Sequence, residues 1–238
     1  MITEQSSTAK SRGADDIDWP AAPGPLLRQY GLPGEEIERR SMAQANAALT
    51  TGTWQGNERR LAARLIYAVG DPGIAHQIAI HPQAIAVATA ALQRGAPIYC
   101  DVKMVAVGIS HRVARTFHCA ISTAIDDPAV SQRSQRSGLP RAAEAMRHLG
   151  SKLNDAIVVI GNAPTALLAT LDLATAGLAR PSIIIGIPVG FVAAAESKEA
   201  LITSTIPYVT VRGTRGGTPL AVAAINMLLT LAKEAPHG

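Results

Sequence analysis

Three segments of the 238-residue chain bring glycines, amides and cations to points where an apolar run gives way to a helical one. After AIVVIG comes GNAPTAL, a turn opening a helix, whose early N–H groups have no partner within the helix and suit an anion. The other reading of that turn is that Asn162 or Thr165 only caps the helix. The string IGIPVGFVAAAESKEAL repeats the arrangement, with Gly186, Pro188 and Gly190 in a turn open to close backbone approach and Ser197 and Lys198 near a helix start. Third is VRGTRGGT, where Arg212 and Arg215 alternate with Gly213, Gly216 and Gly217; it lacks the GK[ST] ending of a Walker loop. Together they suit a ligand bearing several carboxylates. Phosphates would suit as well, but no GxGxxG turn has an acidic residue about 20 positions on, which weakens a dinucleotide reading. No metal and no cofactor is expected: His76, His81, His111, His118, His148 and His237 form no HxxxH or HxH pair.

The elements that must hold these loops follow from texture. PIYCDV, HCAISTAI, DAIVVIG, PSIIIGIP and PYVTVRG are short runs, most of them apolar on both alternating faces, as in strands covered by helices on each side. Helical periods fill 140–149, 163–177, 196–203 and 218–233. The expected fold class is α/β, with a mostly parallel central sheet, helices on both faces and ligand chemistry beyond the carboxyl ends of the strands. Upstream, EEIERRSMAQANAAL has acids in its first turn and apolar residues at 37, 45 and 48. Asn57 is the expected N-cap of ERRLAARLIYAV, which Gly70 ends; HPQAIAVATAALQRG forms a third helix with Pro82 in its first turn. Residues 1–34, without a period and rich in Pro and Gly towards their end, read as a tail or arm, and 35–238 as one domain.

Composition narrows the function. With 47% apolar and 17% charged residues the chain can build a core. Eight aromatic residues are too few for a base-stacking surface, so nucleic acid is not an expected partner. A net charge of +4 is a mild bias towards anions. Cys100 and Cys119, without CxxC spacing, read as buried thiols of a reducing compartment. The opening MITEQSSTAKSRG has no apolar stretch of a secretory leader, and Ile183 to Ala195 is too short and broken for a membrane helix. The expectation is a cytoplasmic protein without membrane contact.

These strings, in this order, resemble the precorrin-8X methylmutase family. IGNAPTAL and IGIPVGFV.AAESK match it almost letter for letter. APIYCDVKMVAVG is similar to its APILCD..MVAHG segment, IDDP to TL.DP, VRGTRGGT to VRGR.GGS, IERRSM to IY..SF and RLIYAVG to RM.HACG. The similarity runs from about Glu35 to Met227. It implies an α/β homodimer with active sites at the subunit interface, acting on a polycarboxylate tetrapyrrole, precorrin-8X or cobalt-precorrin-8. The reaction is migration of a methyl group from C-11 to C-12, giving hydrogenobyrinate or cobyrinate, without redox or added cofactor.

The resemblance also assigns residues. The family's acid histidine falls at Tyr67, and a second family histidine falls at Val107. Helical spacing sets Tyr67 on one face with Arg60 and Arg64, opposite Leu61, Leu65 and Val69. Tyr67 is accordingly the replacement proton donor, with an amphipathic helix-end tyrosine as the other reading. Arg141, at the arginine of the family's NTRSAA segment, is a carboxylate clamp or a plain helix start; Ser41 approaches the ligand or bonds the Ile37 carbonyl. Implied substrate-binding residues are Arg64, Asn162, Thr165, Gly190, Phe191, Ser197, Lys198 and Arg212. A tetrapyrrole-binding carrier that has lost the acid is the alternative function.

Overall fold

The structure, a computed structural model, describes residues 23–49 and 54–236. By its contacts the chain divides into a first unit through Arg40 and a second from Ser41 onwards. Of the expected arm, residues 1–22 lie outside the described residues. The rest includes helix α1 (Pro25–Tyr30), every residue of which is exposed. Helix α2 (Gly34–Ala48) starts in the first unit, where Glu36 pairs with Arg39 and Arg40 one turn on, and continues into the second, where Ala45 is buried. Ile37, an expected core position, is 45% exposed.

The second unit follows the chain through α3 (Gly56–Val69), β1 (Ile78–Ile80), α4 (Ala84–Gln93), β2 (Ile98–Cys100), α5 (Lys103–Gly108), α6 (His111–Thr116) and β3 (Ile121–Ser122). Then come α7 (Pro128–Ser137), α8 (Arg141–Leu149), β4 (Ile157–Ile160), α9 (Pro164–Thr175), β5 (Ile183–Gly186), α10 (Ala194–Thr203), β6 (Tyr208–Val211) and α11 (Thr218–Glu234). Asn57 is not the cap of α3: the helix starts at Gly56, two residues before the expected start at Glu58, and Gln55 stands at the cap without a side-chain bond. Gly70 does end it, at φ 63°, in the left-handed conformation glycine adopts without a Cβ penalty. Among the described residues no helix is long and apolar enough to cross a membrane.

The strands form one sheet in the order β1-β6-β5-β4-β2-β3, parallel except for β1, which runs antiparallel to β6 at the edge. All five expected strands are present; β1, three residues long, was not foreseen. Strands β4, β5 and β6 are buried throughout because each face has its own helical cover. Alternation sends Ile157, Val159, Ile183, Ile185, Val209 and Val211 to a core shared with α3, α4 and α11. Val158, Ile160, Ile184 and Tyr208 face the opposite layer, built on α8, α9 and α10. From β2 the chain moves outwards to β3 and then returns past β2 to β4, so the strand order reverses between β2 and β4. In open parallel sheets a reversal of this kind leaves a crevice at the carboxyl ends of the two strands.

Candidate active site

The β2/β4 crevice is already filled by a side chain. Asp101 directly follows β2 and is completely buried. Its carboxylate accepts N–H bonds from Gly161 at 3.1 Å, Asn162 at 2.9 Å and Ala163 at 2.8 Å. Burial pushes its pKa up, and these main-chain donors, with that of Val102, oppose the rise. The GNAPTAL turn therefore does not offer open amides to an external anion: an internal carboxylate from the neighbouring strand holds them. Neither Asn162 nor Thr165 caps α9, whose N-cap is Ala163. Asn162 is exposed, and Thr165 lines a hollow of about 570 Å³ with Arg133, Arg147 and Asp172. Beside that hollow the buried Glu144 receives a bond from Arg133 at 3.1 Å and lies 3.6 Å from Arg147.

The two later loops interlock. Gly217 donates its N–H to the Ile187 carbonyl at 2.8 Å, and Gly190 donates to Thr214 at 3.2 Å. At Gly216 a Cβ would lie 2.2 Å from the Pro188 carbonyl oxygen, so only glycine allows this approach. Beyond Gly190, Phe191 is 94% exposed and Val192 85%. Ser197 and Lys198, expected near a ligand, are both fully buried. Ser197 donates its hydroxyl to the Ala194 carbonyl, and Lys198 Nζ donates to the Arg215 carbonyl at 2.6 Å, so both are turned into the fold. Burial lowers the Lys198 pKa to about 8, with Glu199 partly opposing. Arg212 pairs with Glu199, and Arg215 reaches Asp71 at 2.6 Å.

At the C-terminal end of α3 a smaller cavity, about 200 Å³, is lined by Ser41, Gln44, Ile66, Tyr67, Gly70 and Pro72. Here the structure brings Ser41 and Tyr67 together. Tyr67 is half-buried, its ring resting on the core, and the Arg64 guanidinium lies 5.0 Å from the ring centroid, within cation–π range. Arg60 does not join them; it forms a two-pronged pair with Glu234 of α11 at 2.6 and 2.9 Å. Leu61 and Leu65 are buried, whereas Val69 is 39% exposed. Arg141 begins α8 and is exposed, while Pro140 and Ala143 beside it line the larger hollow. Val107, on α5, is 74% exposed. Cys100 and Cys119 are buried and without a disulfide.

Sequence reasoning missed Asp101, Asp71 and Glu144. Asp101 alone carried a signal: an acid closing an apolar strand must find donors at the carboxyl edge of the sheet. The partners of the other two lie 144 residues away for Asp71 and on an adjoining helix for Glu144.

Comparison with known proteins identifies the architecture. The precorrin-8X methylmutase family profile matches residues 36–231. A precorrin-8X methylmutase of Pseudomonas aeruginosa is 41% identical over 206 residues, covering 84% of this chain and 97% of that protein. A cobalt-precorrin-8 methylmutase of Leptospira interrogans is 35% identical, covering 87% and 98%. Among solved structures, the precorrin-8X methylmutase of Thermus thermophilus superposes with a TM-score of 0.77 at 32% identity, covering 84% of this chain and 97% of that one. With matches of this extent running through the strands, the interlocked loops and the Tyr67 helix alike, the chain belongs to the precorrin-8X methylmutase family.

Proposed function

We propose that this protein is an isomerase of corrin assembly that moves a methyl group from C-11 to C-12 of precorrin-8X or its cobalt form. Within one conjugated ring the bond from the methyl carbon to C-11 breaks and the bond to C-12 forms, so no electrons enter or leave and no redox partner is needed. The protein's task is to hold an anionic macrocycle and supply a proton where charge develops on the ring. One observation carries the reading: in a chain of this family, the Tyr67 phenol lines a cavity with Ser41 under the Arg64 guanidinium. A phenol is a proton donor, whereas the valine at 107 is not.

The same reading includes a homodimer in the cytoplasm. The Tyr67 cavity, about 200 Å³, is smaller than the roughly 300–1,000 Å³ of ordinary ligand pockets, so a macrocycle needs a further wall. Exposed Phe191, Val192, Val107 and Met104 are apolar surface of the kind a second copy covers. The test uses the full chain: purified protein is incubated with precorrin-8X and the visible spectrum followed. Appearance of the red-shifted hydrogenobyrinate spectrum is the expected result. Uptake of the tetrapyrrole without conversion overturns the isomerase in favour of a carrier.

A further inference from the structure

The loop 212–217 sends an arginine to Asp71, the residue between two that line the Tyr67 cavity. Its main chain is fixed from two sides, by the contacts of Gly216 and Gly217 with the β5–α10 turn and by the buried Lys198, which donates to the Arg215 carbonyl at 2.6 Å. From this anchored position the Arg215 side chain extends to Asp71, Nη1 to Oδ2 at 2.6 Å. Asp71 stands between Gly70 and Pro72, both of which line the cavity with Tyr67 and Ser41, and its Oδ1 caps the Gly73 N–H at 2.8 Å. The guanidinium is thus set beside the Gly70–Pro72 edge of the cavity by an acid that is itself held. The Arg215 side chain remains 50% exposed. A guanidinium carries five N–H donors in a planar fork, and its bond to Asp71 uses one nitrogen, Nη1. In the VRGR.GGS pattern that this loop resembles, the second arginine stands one position earlier; here that position is Thr214 and the cation is at 215.

We propose that Arg215 is a substrate-binding residue, taking a peripheral carboxylate of the macrocycle whose ring lies against Tyr67. Lys198 anchors the Arg215 main chain, and Asp71 occupies its side chain until a ligand carboxylate takes the fork. The proposal rests on the methylmutase reading and names the cation that orients the substrate at that site. A purely structural Arg215, a strut between the loop and the end of α3, makes a different prediction. A strut fails equally when either end is removed. A binding arginine fails only when the arginine goes, because Asp71 competes with the substrate carboxylate for the same fork.

The experiment is equilibrium binding of hydrogenobyrinate to the full chain, followed by its visible absorbance, for wild type, Arg215→Met, Asp71→Asn and the double variant. We expect Arg215→Met to weaken binding about tenfold or more, Asp71→Asn to bind within twofold of wild type or more tightly, and the double variant to match Arg215→Met. The fully esterified ligand, which has no carboxylates, is expected to bind wild type and Arg215→Met alike. Arg215→Met binding within twofold of wild type, Asp71→Asn losing as much as Arg215→Met, or no uptake by wild type overturns the proposal. Wild type that binds hydrogenobyrinate but leaves precorrin-8X unconverted instead overturns the isomerase reading, while the affinity comparison stands.

Discussion

The Asp101 carboxylate accepts the main-chain N–H of Ala163 at 2.8 Å, tying the residue after β2 to the turn that starts α9. With the N–H groups of Gly161 and Asn162 it uses both oxygens, Oδ1 for Gly161 and Oδ2 for the other two. An acid whose two oxygens already take three main-chain N–H groups thus sits at the sheet's reversal point, and carboxylates of a ligand must be met elsewhere. Asp101→Asn keeps the volume but has one oxygen, and its NH₂ would face N–H donors. Donors left facing donors in a buried site cost more than the relief of burying a neutral group returns. We expect about 2–4 kcal/mol of lost stability in urea unfolding. A variant within 0.5 kcal/mol of wild type, roughly the range of an unimportant surface change, contradicts this account.

Lys198 predicts a dependence on pH. Its pKa falls to about 8 in the fold through burial, below the ordinary lysine value of 10.5. Between those values the unfolded chain binds more protons than the folded one, so stability rises with pH across that window. Below about pH 8 the charged form is buried and its cost is carried in full. Relative to Lys198→Met, which has no titrating group there, wild type should gain about 1–2 kcal/mol between pH 7 and pH 9.5. Urea titrations of both proteins at the two pH values measure the difference; a constant gap, or one that moves towards the methionine variant, refutes the assignment.

Strand ends were easier to recognise in the sequence than what fills them. Runs such as IVVI and IIIG, apolar on both faces, can only be strands between two helical layers, and they are. Strand β1 escaped because three residues carry no period, and α7 because PAVSQRSQRS buries only Val130. The closeness of Arg64 and Tyr67 followed from helical spacing, since both lie on α3. The carboxylate in the GNAPTAL turn did not, because it arrives from a strand 60 residues earlier. The inward course of Lys198 was equally hidden: a lysine near a glycine turn has the same letter whether its ammonium meets solvent or a loop carbonyl.

Gly216 should tolerate no side chain. An alanine Cβ there would lie 2.2 Å from the Pro188 carbonyl oxygen and 2.7 Å from that of Ile187, both main-chain atoms that cannot rotate away. Relief requires the loop to lift, which breaks the Gly217 N–H bond to Ile187 and moves Arg215. Gly216→Ala is expected to lose about 2–3 kcal/mol of stability, the scale of overpacking plus a hydrogen bond, and to bind hydrogenobyrinate more weakly than wild type. Unchanged stability together with unchanged affinity would show that the two loops are not locked as described.

In the proposed isomerase Tyr67 is the proton donor, and its substitution tests that role. A phenol is a weaker acid than an imidazolium by about 3.5 units on reference values, equivalent to about 5 kcal/mol of proton-transfer driving force. If half of this is felt in the transition state, a tyrosine enzyme runs about fiftyfold below a histidine one. Tyr67→Phe keeps the ring beneath Arg64 and the packing on the core but removes the only proton the side chain can give. It should therefore lower kcat by about a hundredfold or more, the lower range for general acid catalysis, while hydrogenobyrinate affinity stays within about threefold. Tyr67→His should raise kcat, by up to about fiftyfold, with little change in KM. Single-turnover rates with precorrin-8X separate the chemical step from release. Equal rates for tyrosine, phenylalanine and histidine would remove residue 67 from the proton transfer, and the donor would then have to be sought among the other side chains lining the cavity, beginning with Ser41.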